Sequence, residues 1–129
     1  MIACCDSRVD PAILTSASPG ELFVVRNVAN LVPPFESNGG YHGVSSAIEF
    51  AVVNLKVENV IVLGHRQCGG IRALMTSPKQ MNEGFIGRWM AIAQEAREKV
   101  LNIYQDADEE SKIRHCEMES ILISLRNLK

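Results

Sequence analysis

A surplus of positive charge is the first thing this 129-residue chain lacks: 13 lysines and arginines stand against 15 aspartates and glutamates, for a net charge of −2. Proteins that grip nucleic acid through its phosphates carry a basic excess, so nucleic acid is not an expected partner. Long apolar runs are missing as well. Stretches such as Leu22–Val25 and Val60–Leu63 are far too short to cross a bilayer, which sets aside a membrane. No signal-peptide pattern is visible, because Asp6 and Arg8 stand where an apolar stretch would follow a positive start. Cysteine is sparse and poorly spaced for a disulfide framework, with Cys4 next to Cys5 and with Cys68 and Cys116 far away. Cys-x-x-C does not occur, which argues against a thiol redox protein. The expectation is a cytoplasmic chain with reduced thiols, where cysteine leans towards metal or catalysis.

What is present reads as a globular α/β chain. Hydrophobic residues make up 47% and charged residues 22%, near the averages for folded domains. Ile2–Cys5, Leu22–Val25 and Val60–Leu63 are short apolar pieces, and the last two suit strands buried on both faces. Asp6–Gly20 reads as a loop punctuated by Pro11, Pro19 and Gly20, and 31–42 as another with Pro33, Pro34, Gly39 and Gly40. Helical spacing predicts an apolar face on Val44, Ala47, Ile48, Ala51, Val52 and Leu55. A second helix opens at Cys68, Gly69 and Gly70 and runs through Met75. A third stripe joins Phe85, Trp89, Ile92, Ala96, Val100 and Ile103, and a fourth joins Ile113, Cys116, Ile121, Leu125 and Leu128. Asp106, Asp108, Glu109 and Glu110 between them suit a solvated linker and the first turn of a helix. The expected fold is one α/β domain over 1–129, a small parallel sheet with flanking helices. It is expected to be incomplete at both ends, since the first strand starts at the first residues, the last helix runs to Lys129, and three strands leave an edge open.

Two segments follow strands, where α/β folds place their sites. They are Cys4-Cys5-Asp6-Ser7-Arg8 and Gly64-His65-Arg66-Gln67-Cys68-Gly69-Gly70. If their strands are neighbours, Cys4, His65 and Cys68 converge. Two thiolates and an imidazole suit zinc and leave a fourth position for water, whose pKa zinc lowers to about 7. Arg8 would then keep Asp6 ionised and oriented. Plainer readings stand beside these. A buried cysteine is often a small hydrophobe, a histidine at a strand end a hydrogen-bonded structural residue, and an Asp–Arg pair a salt bridge. Spacing alone does not choose between them.

The combination C-x-D-S-R with H-x-x-C-G-G resembles the β-class carbonic anhydrases. The likeness extends through Pro19–Asn30, Leu31–Pro34, Ala47–Val52 and Ser124–Leu128, and is strongest from Cys4 to Leu74. The resemblance implies reversible hydration of carbon dioxide to bicarbonate by zinc-bound hydroxide. It implies Zn2+ as cofactor, with Cys4, His65 and Cys68 as ligands and with Asp6 and Arg8 as the catalytic dyad. Gly69 would offer a backbone N–H near the substrate, and Phe23, Val28 and Phe50 would stand at the small apolar pocket for carbon dioxide. A homodimer or higher homo-oligomer is implied too.

The sequence departs from the family at several points. Phe50 stands where many members carry tyrosine, and Cys5 where serine is common; Cys5 is expected to be a buried small residue. Cys116 has a family counterpart and is expected to be structural. Family segments before Cys4 and after the last helix are not represented, including a pocket glutamine. The rival expectations are a zinc-binding fragment without turnover and a relative acting on another small molecule such as carbon disulfide.

Overall fold

The computed structural model describes residues 1–37, 40–77 and 84–129; Gly39, placed in a loop above, lies outside them. The strands are β1 (Ile2–Cys4), β2 (Val25–Asn27) and β3 (Val62–Leu63), all parallel in the order β2-β1-β3. From β1 the chain returns on one side as β2, then crosses to the other side as β3. β1 is therefore a switch point, and the crevice beyond the carboxyl ends of β1 and β3 is where such sheets hold ligands.

Burial follows from this order. β1 has neighbours on both sides, and Ile2, Ala3 and Cys4 are at most 4% exposed. β2 and β3 are edge strands and only half-buried, with Val60 and Ile61 outside β3 and exposed. The expectation of strands buried on both faces, made for Leu22–Val25 and Val60–Leu63, thus fails for both, and the buried strand is β1. β2 also begins later than its apolar run. Its register sets Val25 opposite Ile2 and Asn27 opposite Cys4, so pairing with β1 moves the strand past Leu22–Val24. An apolar run marks what is hidden from water, whereas the ladder marks what is paired.

Asp6–Gly20 is not all loop. It contains α1 (Pro11–Thr15), capped by Asp10, whose carboxyl accepts the N–H groups of Ala12 and Ile13 at 3.0 and 3.2 Å. Asp before Pro is the start signal for a helix, with proline at a position whose missing N–H costs nothing. α2 (Gly43–Glu49) continues into a wider π-helical turn, Phe50–Asn54. The helical period is as read, but no residue of this segment is buried, and Phe50, Val52, Val53 and Leu55 are each at least 47% exposed. Periodicity reports that a face is apolar, not what covers it.

α3 (Gly69–Thr76) starts where Cys68, Gly69 and Gly70 predict. The third stripe divides into α4 (Gly84–Met90), a 3-10 turn (Ala91–Ala93) and α5 (Gln94–Ile103). The tighter turn shifts the phase of the stripe. Met90, Ala93, Ala96 and Val100 face the core, while Phe85 and Ile103 stay exposed.

α6 (Glu109–Asn127) is capped by Asp108, which accepts the Ser111 N–H at 2.9 Å, and its first turn carries Glu109 and Glu110, as the acidic run suggests. Its inward face is Ile113, Cys116, Glu117, Ser120, Ile123 and Ser124 rather than a line ending on Leu125, which is 40% exposed. One hydroxyl and one amide tie it to the loop after β2: Ser124 Oγ accepts the Val32 N–H at 3.1 Å, and Asn127 Nδ2 donates to the Val32 carbonyl at 2.9 Å. The core lies between these helices and the end of β1, and joins Cys4, Leu31, Cys68, Ile71, Met90, Val100, Ile113 and Cys116.

Ile113 is 2% exposed on this face and Leu122 is 55% exposed on the other. Ile113→Ala is expected to lower stability to urea by about 2–5 kcal/mol, from lost transfer and cavity terms. Leu122→Ala should stay within about 0.5 kcal/mol. Equal losses in the two variants would contradict the packing of α6.

Candidate metal centre

Cys4 is the last residue of β1. Its carbonyl accepts Arg26 Nε at 2.9 Å, and the Asp6 carbonyl accepts Arg26 Nη2 at 2.6 Å. The same guanidinium reaches Asp10 Oδ2 at 3.0 Å, so β2 braces the turn that leaves β1. The turn closes on itself, because Asp6 Oδ1 accepts the Arg8 backbone N–H at 2.9 Å. Arg8 then folds back over Asp6 through Nε to Oδ1 at 2.9 Å and Nη2 to Oδ2 at 2.6 Å. These bonds hold the Asp6 carboxyl well below the usual carboxylate range, the side-chain bonds first and the backbone bond second.

His65 and Cys68 lie on the turn between β3 and α3. Within it Gln67 takes φ +57°, a left-handed conformation that costs a non-glycine residue about 1–2 kcal/mol. The turn is tied to the first segment by Arg8, which donates to Gln67 Oε1 at 3.3 Å and to the Gln67 carbonyl at 3.0 Å. Ala29 is also left-handed, with φ +64°, in the 3-10 turn Val28–Asn30 beside the site. Gly70 permits that approach: a Cβ there would stand 2.8 Å from Val28 Cγ1.

Cys4, His65 and Cys68 come together, with one donor atom from each lying within 4.8 Å of the others. Both cysteines are buried. The Cys4 thiol is pulled well below its ordinary range, first by its hydrogen bond with the Cys68 thiol; burial opposes, and the Asp6 and Ala29 N–H groups add to the pull. Cys68 is pushed up, first by sharing its proton with Cys4 and then by burial, against the N–H groups of Ile71 and Gly70. Burial and mutual repulsion thus oppose a negative charge on both sulfurs at once, and a cation between them would relieve it.

The imidazole points to the same conclusion. His65 Nδ1 lies 2.9 Å from the Arg66 carbonyl, which only accepts, so Nδ1 carries the proton. Nε2 keeps a lone pair, and it is buried with no hydrogen-bond partner among the described residues. A buried ring nitrogen facing two thiols, oriented by a carbonyl on its other nitrogen, is the arrangement of a metal ligand. Two sulfurs and one nitrogen fit zinc, with a fourth position left over.

The four residues expected at the substrate pocket are placed apart. Val28 and Gly69 line one depression, with Gly70, Ala73 and Ile86. Phe23 lines another groove, with Met1, Ile48, Ala51 and Ile61, and its ring lies 6.0 Å from that of Phe50. Cys5 is exposed, not buried as expected: it lies just past β1, whose three residues are all buried. Cys116 is fully buried in the core, and burial pushes its thiol up to about 12.

Three residues of the site went unread in the sequence. Arg26 braces the first turn and Gln67 receives Arg8. Glu117, on the buried face of α6, accepts the Cys68 N–H at 2.9 Å. A charge inside an apolar strand run and another inside an apolar helical stripe were the available signals for Arg26 and Glu117. Nothing local marks Gln67.

With this geometry in hand, likeness to known proteins becomes informative. The family model described as carbonic anhydrase matches residues 1–129. Beta carbonic anhydrase 5, chloroplastic, of Arabidopsis thaliana is 43% identical over 132 residues, covering 99% of this chain and 42% of that protein. The solved structure of the beta-carbonic anhydrase CcaA superposes with a TM-score of 0.89 at 36% identity, covering 98% of this chain and 56% of the other. One of two tetrameric beta-carbonic anhydrases from the filamentous ascomycete Sordaria macrospora gives a TM-score of 0.80 at 27% identity, covering 98% and 61%. The chain thus spans about half the length of the proteins it matches. It belongs to the β-carbonic anhydrase family.

Proposed function

We propose that this chain carries out zinc-dependent reversible hydration of carbon dioxide to bicarbonate. The observation that carries the reading is the cluster of Cys4, His65 and Cys68, its Nε2 unpartnered among the described residues, in a chain of this family. Zinc held by those three residues supplies a Lewis acid that makes water a nucleophile near neutral pH.

The rest is assigned to this chain's own groups. Arg8 occupies both oxygens of Asp6 and holds it as a permanent acceptor. Asp6 then accepts the hydrogen of the attacking oxygen and aims that oxygen's free lone pair at carbon. Val28, beside Gly69, supplies the apolar side chain for carbon dioxide there, Phe23 and Phe50 are the apolar pair assigned to it from the separate groove, and the Gly69 N–H steadies a substrate oxygen. In the reaction a C–O bond forms, one C=O electron pair moves onto oxygen, and the proton leaves to buffer. An apolar wall favours the neutral substrate over the anionic product.

A second copy of the chain completes the proposal. Phe50, Val52, Val53 and Leu55 form an exposed apolar face, the kind of surface that marks an interface. The structure from Sordaria macrospora is described as tetrameric. A cytoplasmic setting goes with four unpaired thiols, Cys5 exposed among them. A second reading rests on the separation of Phe23 and Phe50 from Val28 and Gly69: the chain then binds zinc but has no joined pocket and no turnover.

Zinc analysis and stopped-flow hydration on one sample decide between these. About one zinc per chain with hydration supports the first reading, zinc without hydration the second, and absence of zinc defeats both. Cys4→Ser, His65→Ala and Cys68→Ser should each strip the metal, and full zinc content in all three would remove the ligand assignment. Asp6→Asn should retain zinc while kcat/KM falls by about 10- to 100-fold, the range for groups that orient a metal site; unchanged turnover would free Asp6 of its role. Val53→Asp should shift light-scattering mass from an oligomer to one chain, and a wild-type monomer would contradict the interface.

A further inference from the structure

The buried carboxyl of Glu117 has no part in the reaction just described. It sits on the inward face of α6, 8% exposed, between Cys116 and Ser120. Charged residues are rarely so deeply placed unless something requires them. Its recorded bond runs from the Cys68 N–H to Oε1 at 2.9 Å, across 49 residues of sequence.

That N–H belongs to the peptide between Gln67 and Cys68. The carbonyl of the same peptide accepts Arg8 Nη2 at 3.0 Å. One peptide plane is therefore held at both polar ends, by a carboxyl from α6 and a guanidinium from the turn after β1. A peptide so placed is polarised in the sense that strengthens both bonds. It also follows Gln67, whose φ of +57° is a conformation the turn would leave if released. The Cys68 side chain hangs from the held end, and the N–H groups of Gly70 and Ile71 face its sulfur.

We infer that Glu117 is a positioning residue: by holding the Gln67–Cys68 peptide against Arg8, it sets where the Cys68 sulfur stands and steadies Arg8 over Asp6. This rests on the zinc reading for its functional consequence, but the clamp concerns the chain alone. Gln67, Glu110 and Ser111 line the same small cavity as Glu117 and carry acceptors, yet the Cys68 N–H goes to Glu117.

The test compares Glu117→Ala and Glu117→Gln with Val100→Ala, a buried substitution on α5 outside the site. Zinc release to a chelator should quicken by about 10- to 100-fold in Glu117→Ala, the usual range for partners behind a ligand, with partial rescue in Glu117→Gln, whose amide oxygen still accepts. Val100→Ala should lose stability without faster release. Equal acceleration by Val100→Ala, or unchanged release in both Glu117 variants, would overturn the inference. The amide proton shift of Cys68 in zinc-free protein gives a second readout. It should move in both Glu117 variants and not in Val100→Ala, and a stationary shift would overturn the clamp. If wild-type protein takes up no zinc, the functional reading falls while the amide shift still decides the clamp.

Discussion

Two thiols and an unprotonated ring nitrogen are buried within one donor-to-donor span, and this is the constraint on which the rest of the molecule turns. Taken by itself the cluster is unfavourable. Burial opposes charge on both sulfurs, and Nε2 finds no partner among the described residues. A folded chain keeps such an arrangement only if the surrounding structure over-determines it. The surroundings do so through charged side chains aimed at backbone groups. Arg26 holds two carbonyls, Arg8 holds Asp6 and the Gln67 carbonyl, and Glu117 holds the Cys68 N–H.

The sheet is small because its task is local. Three parallel strands place the end of β1 beside the end of β3, and that juxtaposition brings Cys4 to His65 and Cys68. Helix α6 closes the site from behind. It packs Ile113 and Cys116 into the core, reaches Cys68 through Glu117, and grips the loop after β2 through Ser124 and Asn127. Packing and site geometry thus share one helix, so a change on its buried face acts on both. The opposite side of the molecule is different in kind. The segment from α2 through Asn54 buries none of its residues, and its apolar side chains are left for another surface to cover.

Much of the scaffold was legible before any coordinates. Buried strands announce themselves as apolar runs, helices as stripes, and helix starts as Asp or Gly before the first apolar turn. Hence the sheet class, α3 and α6 were readable. The misreadings share a cause. An apolar run carries no register, so it places β2 too early, and the five residues of α1 are too few to show a period. The stripe from Phe85 to Ile103 reads as continuous because a single 3-10 turn leaves the composition unchanged. Cys5 reads as buried because its neighbours in sequence are apolar, yet it falls one residue beyond the buried strand.

By itself the sequence determined the ligand types and their order along the chain: a thiol ending one strand, an imidazole and a second thiol three residues apart beyond another, and an acid and a base two residues apart to form a pair. Those are local facts, set by spacing and by the chemistry of each side chain. Only the tertiary structure decided that the three donors meet, that His65 turns its lone pair inward, that Phe23 and Val28 line separate hollows, and that Glu117 stands behind Cys68. These depend on contacts between residues tens of positions apart, whose closeness comes from packing the whole core and leaves no periodic trace in the chain.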